Sequence, residues 1–251
     1  MTHLPMLSIV TVTFQDIPGL RRTLCSLEHL AKEAGRDLEV LIVDGGSGPK
    51  INEIARDFPW AQFRSEDDNG IYDAMNKGLE RSTGSYLWFL NGGDECLLTK
   101  WPPLKKELLK SPESIVLCGY VLAIGTRLIK RLPRRPSYIW HGLPTSHQSI
   151  FYPTSQARGI LYDPRYKMVG DYQFTSQLLA NGASARQSNI VVAQFQMDGF
   201  SFQQAHLVAR EATIVQREVL RTSVFLRLLS RCRHNVSRMA RRAQARLWAP
   251  T

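Results

Sequence analysis

The chain has 251 residues, 43% of them hydrophobic and 22% charged, which is enough for one substantial α/β domain with a small appendage. Its net charge of +10 is concentrated in residues 221–251, which hold eight arginines and no acid, whereas the first 220 residues carry 24 basic and 22 acidic residues. This distribution argues against a nucleic-acid-binding protein with a basic body, and no apolar run approaches the ~20 residues that span a bilayer.

Strands and helices alternate through the first hundred residues, with short connections. Apolar and β-branched runs predict buried strands, and apolar residues at a spacing of three or four predict helices. The predicted strands are 7–14, 39–43, 62–65 and 85–90, and the predicted helices are 20–30, 51–58 and 71–82. This alternation predicts an α/β fold built on a mostly parallel sheet that is flanked by helices.

Beyond residue 100 the alternation loosens. The pattern predicts a hairpin of two strands, a Pro-rich loop, two further strands and two helices. These elements are the hairpin 114–123 and 126–131, the strands 148–152 and 190–196, and the helices 172–180 and 203–220. We therefore divide the chain into a domain of residues 1–202, with halves 1–100 and 101–202, and a helical basic extension of residues 203–251.

Two acidic, Gly-rich segments follow predicted strands. Asp44 begins the segment DGGS, and Asn91 begins the segment NGGDE, which contains Asp94. Because ligands of parallel sheets sit beyond the carboxyl ends of the strands, we expect both segments to meet in one crevice. A carboxylate in such a turn suits Mg²⁺ or Mn²⁺, which prefer oxygen ligands. Each segment also has a plainer interpretation as a tight turn with a helix cap.

The segment DNGIYDAMNKG, residues 68–78, opens the helix predicted at 71–82. Asp73, Asn76 and Lys77 share one face of this helix at spacings of three and four. They form either a polar binding face or an ordinary surface ion pair, and spacing alone favours the ion pair.

Four segments in this order, VDGGS, DNGIYDAMNKG, TGSYLWFLNGGDE and GDYQF, resemble family 2 glycosyltransferases of the GT-A fold. The resemblance covers residues 7–196 and is most specific between Asp44 and Glu95. In the later half, SHQSIFY and YKMVGDY are similar to the branch of this family that builds bacterial exopolysaccharides such as colanic acid.

The resemblance implies an inverting transfer from a nucleotide-sugar, UDP- or GDP-linked, with Mn²⁺ or Mg²⁺ as cofactor. Asp94 would hold the metal without the usual companions, since Asn91 and Gly93 stand where many members have aspartate. Asp171 would be the catalytic base, and His147 would contact the acceptor or the diphosphate unless it only satisfies its own loop. The donor-binding residues implied are Thr13, Asp44, Gly46, Asp68, Gly70, Asp73, Asn76, Lys77, Asn91 and Gly92. Without the resemblance, Asp171 would be assigned as a helix N-cap.

The C-terminal arginines belong to an amphipathic pattern. At 3.6 residues per turn, an apolar stripe lies on one side of a helix and most of the arginines lie on the other. The stripe consists of Phe225, Leu229, Cys232, Val236, Met239, Ala243 and Leu247. With Trp248 near its end, this pattern is typical of a helix lying on an anionic membrane surface. A helix packed on the domain and a dimerisation helix are the alternatives.

A location on the inner face of the cytoplasmic membrane is expected, where a lipid-linked saccharide would serve as acceptor. The N-terminus shows no signal-peptide pattern, and four widely spaced cysteines fit a reducing cytoplasm better than a disulfide framework or a zinc ribbon. A catalytically weak nucleotide-sugar-binding protein remains an alternative function. A nucleotidyltransferase would need a basic Gly-rich loop near the N-terminus, and residues 13–20 do not provide one.

Overall fold

The computed structural model describes residues 3–196 and 204–247, and for residues 236–247 it describes the backbone only. The strands of this part of the chain are β1 (Leu7–Thr13), β2 (Leu38–Asp44), β3 (Gln62–Ser65), β4 (Tyr86–Phe89), β5 (Glu95–Cys96), β6 (Ile115–Ile124), β7 (Arg127–Arg131), β8 (Ile150–Pro153) and β9 (Ala185–Gln196). Its α-helices are α1 (Ile17–Ala34), α2 (Ile51–Asp57), α3 (Ile71–Arg81), α4 (Trp101–Leu109), α5 (Thr154–Ala157), α6 (Gly170–Ala180), α7 (Ala205–Glu218) and α8 (Val224–Leu247).

The described strands form one sheet in the order β3-β2-β1-β4-β8-β6-β9-β5, with β7 paired to β6. The first four strands of this order are all parallel to one another. Strand β8 then runs antiparallel to both β4 and β6, while β6 and β9 run parallel to each other. The predicted α/β sheet flanked by helices is confirmed, with a parallel half followed by a mixed half.

Helices cover both faces of the sheet because residues along the parallel strands are apolar on both sides. In β1, Leu7 and Ile9 belong to the core that α1, α2 and α4 complete. Val10 and Val12 belong to the opposite core, which includes residues of α3 and α6. A Cβ atom on Gly78 of α3 would lie 2.3 Å from Val10 Cγ1, so a glycine there lets α3 lie close to β1.

Several elements differ from the sequence predictions. Helix α4 was not predicted; Pro102 and Pro103 lie in its first turn, where proline is compatible with a helix. Strand β9 begins five residues before the predicted 190–196, and its polar start pairs with β6. Helix α6 begins at Gly170, so Asp171 lies inside its first turn.

Helix α7 is attached to the domain by a buried carboxylate. Glu211 accepts hydrogen bonds from the backbone N–H groups of Lys167 (2.9 Å), Met168 (2.9 Å) and Val169 (3.2 Å). These amides immediately precede α6. The carboxylate therefore satisfies donors at the start of the helix that carries Asp171.

Replacing Glu211 with Gln should lower the free energy of unfolding by about 2–3 kcal/mol, because the amide cannot accept from all three donors and presents an N–H₂ group to them. Glu218→Gln is the matched control on the same helix, since Glu218 is 41% exposed at its side chain and pairs with the adjacent Arg217 at 2.7 Å. It should change stability by less than about 0.5 kcal/mol. Urea unfolding of both variants measures the difference, and equal midpoints would contradict the role of Glu211.

Helix α8 exposes its apolar side. Val224, Phe225 and Leu228 are 64%, 73% and 53% exposed, and Leu229 is 40% exposed. The opposite side faces the domain, where Ser230 is buried. Among the helices of the described residues, none combines the length and hydropathy that crossing a bilayer requires. The stripe members Val236, Met239, Ala243 and Leu247, together with Trp248, lie outside the residues whose side chains are described.

Candidate functional site

The carboxyl ends of the parallel strands open onto a cleft of about 1040 Å³. The segments after β1, β2 and β4 contribute to its wall, as do the residues before and within the first turn of α3. The lining residues are Val12, Thr13, Phe14, Gln15, Asp16, Gly45, Gly46, Asp67, Asp68, Gly70, Ile71, Ala74, Asn91, Gly92, Asp94, Gln148 and Gln196. The predicted meeting of the two acidic, Gly-rich segments is confirmed.

Glycines let the wall of the cleft form after β2. A Cβ atom on Gly45 would lie 2.5 Å from the Asp68 carboxylate, and Gly46 has a φ of 89°, which strains any residue with a side chain. Asp68 also accepts a hydrogen bond from the N–H of Gly70 at 2.8 Å. The carboxylates of Asp67 and Asp68 thus lie directly against the backbone of Gly46 and Gly45, where a Cβ atom would meet them.

Asp44 does not line the cleft but organises the loop that does. Its side chain is fully buried and accepts hydrogen bonds from the Ser47 N–H (2.9 Å), the Ser47 hydroxyl and the Ser65 hydroxyl (2.6 Å). Three donors on one carboxylate offset the cost of burying it. In this conformation Asp44 fixes the turn from which Gly45 and Gly46 reach the cleft.

The three polar residues predicted on one face of α3 lie outside the cleft lining. Asp73 accepts from the N–H of Asn69 at 2.9 Å and lies 3.7 Å from Lys77, whose ammonium group donates to the Asp67 carbonyl at 2.6 Å. Asn76 forms two hydrogen bonds with the backbone of Tyr162, at 2.8 and 3.0 Å. All three hold the segments around the cleft, and the ion pair that spacing favoured is present.

The turn after β4 offers oxygen atoms for a divalent cation. Asp94 and Asn91 both line the cleft, and the side-chain oxygen of Asn91 is buried with no hydrogen-bond partner. A carboxylate and an unsatisfied amide oxygen on the same turn are chemically suitable, though partial, ligands for Mg²⁺ or Mn²⁺. No group of three His, Cys, Asp or Glu side chains converges anywhere in the described residues. Phosphate oxygens of a ligand and water would have to complete such a site.

Helix α1 fastens this turn through Thr23, whose side chain is fully buried. The Thr23 hydroxyl accepts from the N–H of Gly93 at 2.9 Å and donates to the carbonyl of Asp94 at 2.6 Å. Arg22 donates to the carbonyl of Gly93 at 3.1 and 3.2 Å. Because Gly93 has a φ of 97°, a conformation that favours glycine, the turn is fixed by its own backbone and by α1 together.

Replacing Thr23 with Val should lower the free energy of unfolding by about 1–3 kcal/mol, because the Gly93 N–H loses its buried acceptor. If a divalent cation binds this turn, the variant should also raise the Mn²⁺ concentration that gives half-maximal stabilisation, since the turn bearing Asp94 loses one anchor. Thr23→Ser keeps the hydroxyl and should restore the metal requirement. Thermal unfolding with a Mn²⁺ titration measures both effects, and an unchanged Mn²⁺ midpoint in Thr23→Val would contradict them.

His147 lies behind the cleft, not in its wall. Its ring is buried, its Nε2 atom lies 2.8 Å from the Tyr162 hydroxyl, and it stacks on Phe89 with ring centroids 5.3 Å apart. Burial lowers the pKa of His147 to about 4, so the ring is neutral at physiological pH. Its neighbour Gln148 lines the cleft instead.

Asp171 lies in the first turn of α6, beside the cleft and outside its lining. Its carboxylate accepts a hydrogen bond from the Tyr172 N–H at 2.8 Å. Burial raises the pKa of Asp171 to about 6, although backbone hydrogen bonds act in the opposite direction. The adjacent Gly170 packs against the ring of Tyr72, and Ile71, one residue earlier on α3, lines the cleft. Through this contact the start of α6, with Asp171, adjoins the first turn of α3, which contributes to the cleft wall.

The structure brings seven of the residues predicted for the donor and metal sites together in the cleft wall: Thr13, Gly46, Asp68, Gly70, Asn91, Gly92 and Asp94. Sequence reasoning missed Asp67 and Gln148, among others. Asp67 adjoins Asp68 in the acidic pair before Asn69, and Gln148 adjoins His147, so the motifs that identified their neighbours pointed to the correct segments.

This chain is similar in sequence to known proteins. The family profile described as Glycosyl transferase family 2 matches residues 8–164. A PGL/p-HBAD biosynthesis glycosyltransferase of Mycobacterium bovis (strain BCG) is 27% identical over 213 residues, covering 76% of this chain and 77% of that protein. An uncharacterised glycosyltransferase of Mycobacterium tuberculosis (strain H37Rv) is 38% identical over 96 residues, 38% of this chain, which spans only 36% of that relative's length.

Solved structures share the fold at low sequence identity. Residues 1–349 of TarS from S. aureus, in complex with UDP, give a TM-score of 0.61 at 16% identity, covering 85% of this chain and 66% of that one. The mannosyltransferase PcManGT from Pyrobaculum calidifontis, in complex with GDP-Man and Mn²⁺, gives 0.65 at 15% identity, covering 88% and 66%. The predicted GT-A-like fold is confirmed.

Proposed function

Because this chain belongs to glycosyl transferase family 2, we propose that it is an inverting glycosyltransferase that moves a sugar from a nucleotide-sugar to a lipid-linked saccharide. The observation that supports this most directly is the cleft at the carboxyl ends of the parallel strands. Its wall combines backbone glycines with Asp67, Asp68 and Asp94. Such a cleft can accept a nucleoside along the β2 and β3 side and a diphosphate near the turn after β4.

The proposed reaction is a single displacement. The acceptor hydroxyl gives its proton to the Asp171 carboxylate as its oxygen forms the bond to the anomeric carbon. The bond from that carbon to the diphosphate oxygen breaks at the same time, and its electron pair leaves with the nucleoside diphosphate. An acceptor must therefore reach the cleft from the side of α3 where Tyr72 contacts Gly170.

Asp94 would hold a divalent cation, with the side-chain oxygen of Asn91 as a second ligand. The cation, when bound, would neutralise the charge that develops on the departing diphosphate. Asp94 would orient that diphosphate, and the Thr23 hydrogen bonds would keep the turn fixed while charge develops. Mn²⁺ accompanies GDP-Man in the P. calidifontis mannosyltransferase, and UDP accompanies S. aureus TarS, which supports a UDP- or GDP-sugar as donor.

The acceptor half of the proposal rests on helix α8. Its apolar stripe faces solvent as far as residue 235, with Phe225 and Leu229 exposed, so packing on the domain does not account for the stripe. A membrane surface would cover it while arginines approach anionic lipid. We therefore propose a peripheral location on the inner face of the cytoplasmic membrane and an acceptor of the exopolysaccharide type, such as colanic-acid precursors.

A thermal-shift screen of UDP- and GDP-sugars, with Mn²⁺ or with EDTA, tests the donor site. A matching donor should raise Tm in Mn²⁺, because a ligand that binds only the folded state stabilises it. The absence of any metal-dependent shift would overturn the donor site. A shift without transfer to any lipid-linked acceptor would instead support the alternative of a nucleotide-sugar-binding protein with weak catalysis.

Flotation with anionic vesicles tests the membrane location. Truncation after Leu220 removes α8 and should abolish binding. Phe225→Ser with Leu229→Ser keeps every arginine and should also weaken binding, because both side chains are exposed apolar groups of the stripe. Unchanged binding of these variants would refute the membrane proposal, and a concentration-dependent dimer in solution would favour the dimerisation helix.

A further inference from the structure

A second cavity, of about 340 Å³, lies between α7 and α8, away from the cleft. This volume falls within the range of about 300–1,000 Å³ that small-molecule sites have. The lining residues are His206, Ala209, Arg210, Ala212, Thr213, Gln216, Ser230, Arg231, His234 and Asn235. Two arginines and two histidines contribute to the wall, and none of the lining residues is acidic.

The two acidic residues of α7 form hydrogen bonds or ion pairs with residues outside the cavity lining. Glu211, next to Arg210 in sequence, accepts three hydrogen bonds from the backbone of residues 167–169. Glu218, at the end of α7, pairs with Arg217. The ion pairs formed by described residues include none at Arg210 or Arg231. The cavity therefore has an excess of positive charge that an anion would neutralise.

The floor of the cavity consists of buried polar side chains that are hydrogen-bonded to one another. Gln216 and Ser230 are 1% and 2% exposed, and the Gln216 amide donates to the Ser230 hydroxyl at 2.9 Å. The same hydroxyl lies 2.8 Å from Nδ1 of His141, whose ring centroid is 4.3 Å from that of His234. Burial, followed by the neighbouring His234, Arg233 and Arg134, lowers the pKa of His141 to about 4. The surroundings of this floor are thus electrostatically positive.

We propose that this cavity binds the phosphate of an anionic lipid headgroup. Arginine and imidazole donors from two helices suit a phosphate, which has more acceptor oxygens than a carboxylate. At 100° per residue, Arg231 and His234 lie about 120–180° around α8 from Phe225 and Leu229, so the cavity is on the side of α8 turned away from the stripe. A helix is about 10–12 Å across with its side chains, so a stripe that enters the boundary between headgroups and acyl chains would leave the cavity at the outer edge of the headgroups. This step rests on the membrane contact proposed above.

The decisive experiment measures binding of the full chain to two sets of vesicles that have the same surface charge but carry different anionic groups. Digalactosyldiacylglycerol vesicles carry equal fractions of phosphatidylglycerol or of cholesteryl hemisuccinate, so that phosphate is present in only one set. The protein should prefer the phosphatidylglycerol vesicles by about tenfold or more. Arg210→Gln with Arg231→Gln should abolish the preference. Arg217→Gln with Arg221→Gln removes the same charge from positions outside the cavity and should retain it.

A soluble probe separates the cavity from the membrane contact. Dihexanoylphosphatidylglycerol below its micelle concentration should shift the ring resonances of His206 and His234 and leave those of His3 and His29 unchanged. Shifts without vesicle binding would overturn the membrane contact and retain a phosphate site. Vesicle binding with equal affinity for both lipids and no shifts would overturn the cavity alone. Inorganic phosphate binding as tightly as the lipid probe would show a site for soluble anions and overturn the lipid assignment.

Discussion

Replacing Asp171 with Asn is expected to reduce the rate of sugar transfer by about 10³-fold while donor binding stays unchanged. The asparagine side chain keeps the shape but cannot take the acceptor's proton, and general-base catalysis contributes about 10²–10⁴-fold. Radiolabelled transfer to the acceptor measures the rate, and the Mn²⁺-dependent thermal shift measures donor binding. Full activity in Asp171→Asn would assign the base to another residue.

The pH profile of the wild-type protein provides an independent test. A base acts only when deprotonated, so with a pKa of about 6 for Asp171, kcat/KM should fall about tenfold per pH unit below about 6. Stability must be monitored in parallel, because His141 and His147 have pKa values lowered to about 4 in the folded state. Their stabilising effect is complete above pH 6.5 and is lost as pH falls toward 4. An activity profile flat between pH 5 and 7 would contradict Asp171 as the base.

Replacing Asp94 with Asn should remove most of the Mn²⁺-dependent thermal shift given by the donor and lower transfer by at least about 10²-fold. The loss follows because Asp94 supplies a cleft-lining carboxylate at the turn where a cation would meet the diphosphate. Donor affinity in EDTA should change little.

Glu95→Gln is the matched control for Asp94. Glu95 is the next residue in the chain, it does not line the cleft, and its carboxylate is 3.9 Å from Arg22. An exposed pair at this distance contributes little, so metal response and transfer should stay close to wild type. If Asp94→Asn and Glu95→Gln behaved alike, the cation would have to bind elsewhere or be dispensable.

The features that could be predicted from the sequence are those that depend on the order of strands and turns along the chain. Residues 44–47 and 91–95 follow parallel strands, and topology alone brings their ends to one edge, so the cleft could be expected. Asp44 shows the limit of such reasoning: its position was clear, but its hydrogen bonds to Ser47 and Ser65 turn it away from a direct place in the wall.

Contacts between distant segments could not be predicted. Asn76 binds the backbone of Tyr162, 86 residues away, and no pattern within α3 distinguishes that from binding a ligand. The same holds for Thr23, which reaches the turn at Gly93 across 70 residues. The backbone partners of these side chains carry no sequence signature, because every residue except proline offers the same N–H and C=O groups.

The bond between Glu211 and residues 167–169 has a consequence for how acceptor specificity can diverge. The carboxylate accepts hydrogen bonds from main-chain N–H groups, so these bonds do not depend on which side chains the segment carries. Lys167 is exposed, and Met168 is partly so. Any amino acid except proline could replace Lys167 without loosening the anchor, whereas Met168 also packs against the apolar cluster between α6 and α7. If Asp171 is the base proposed above, substitutions at residue 167 could change contacts with the acceptor without displacing that base.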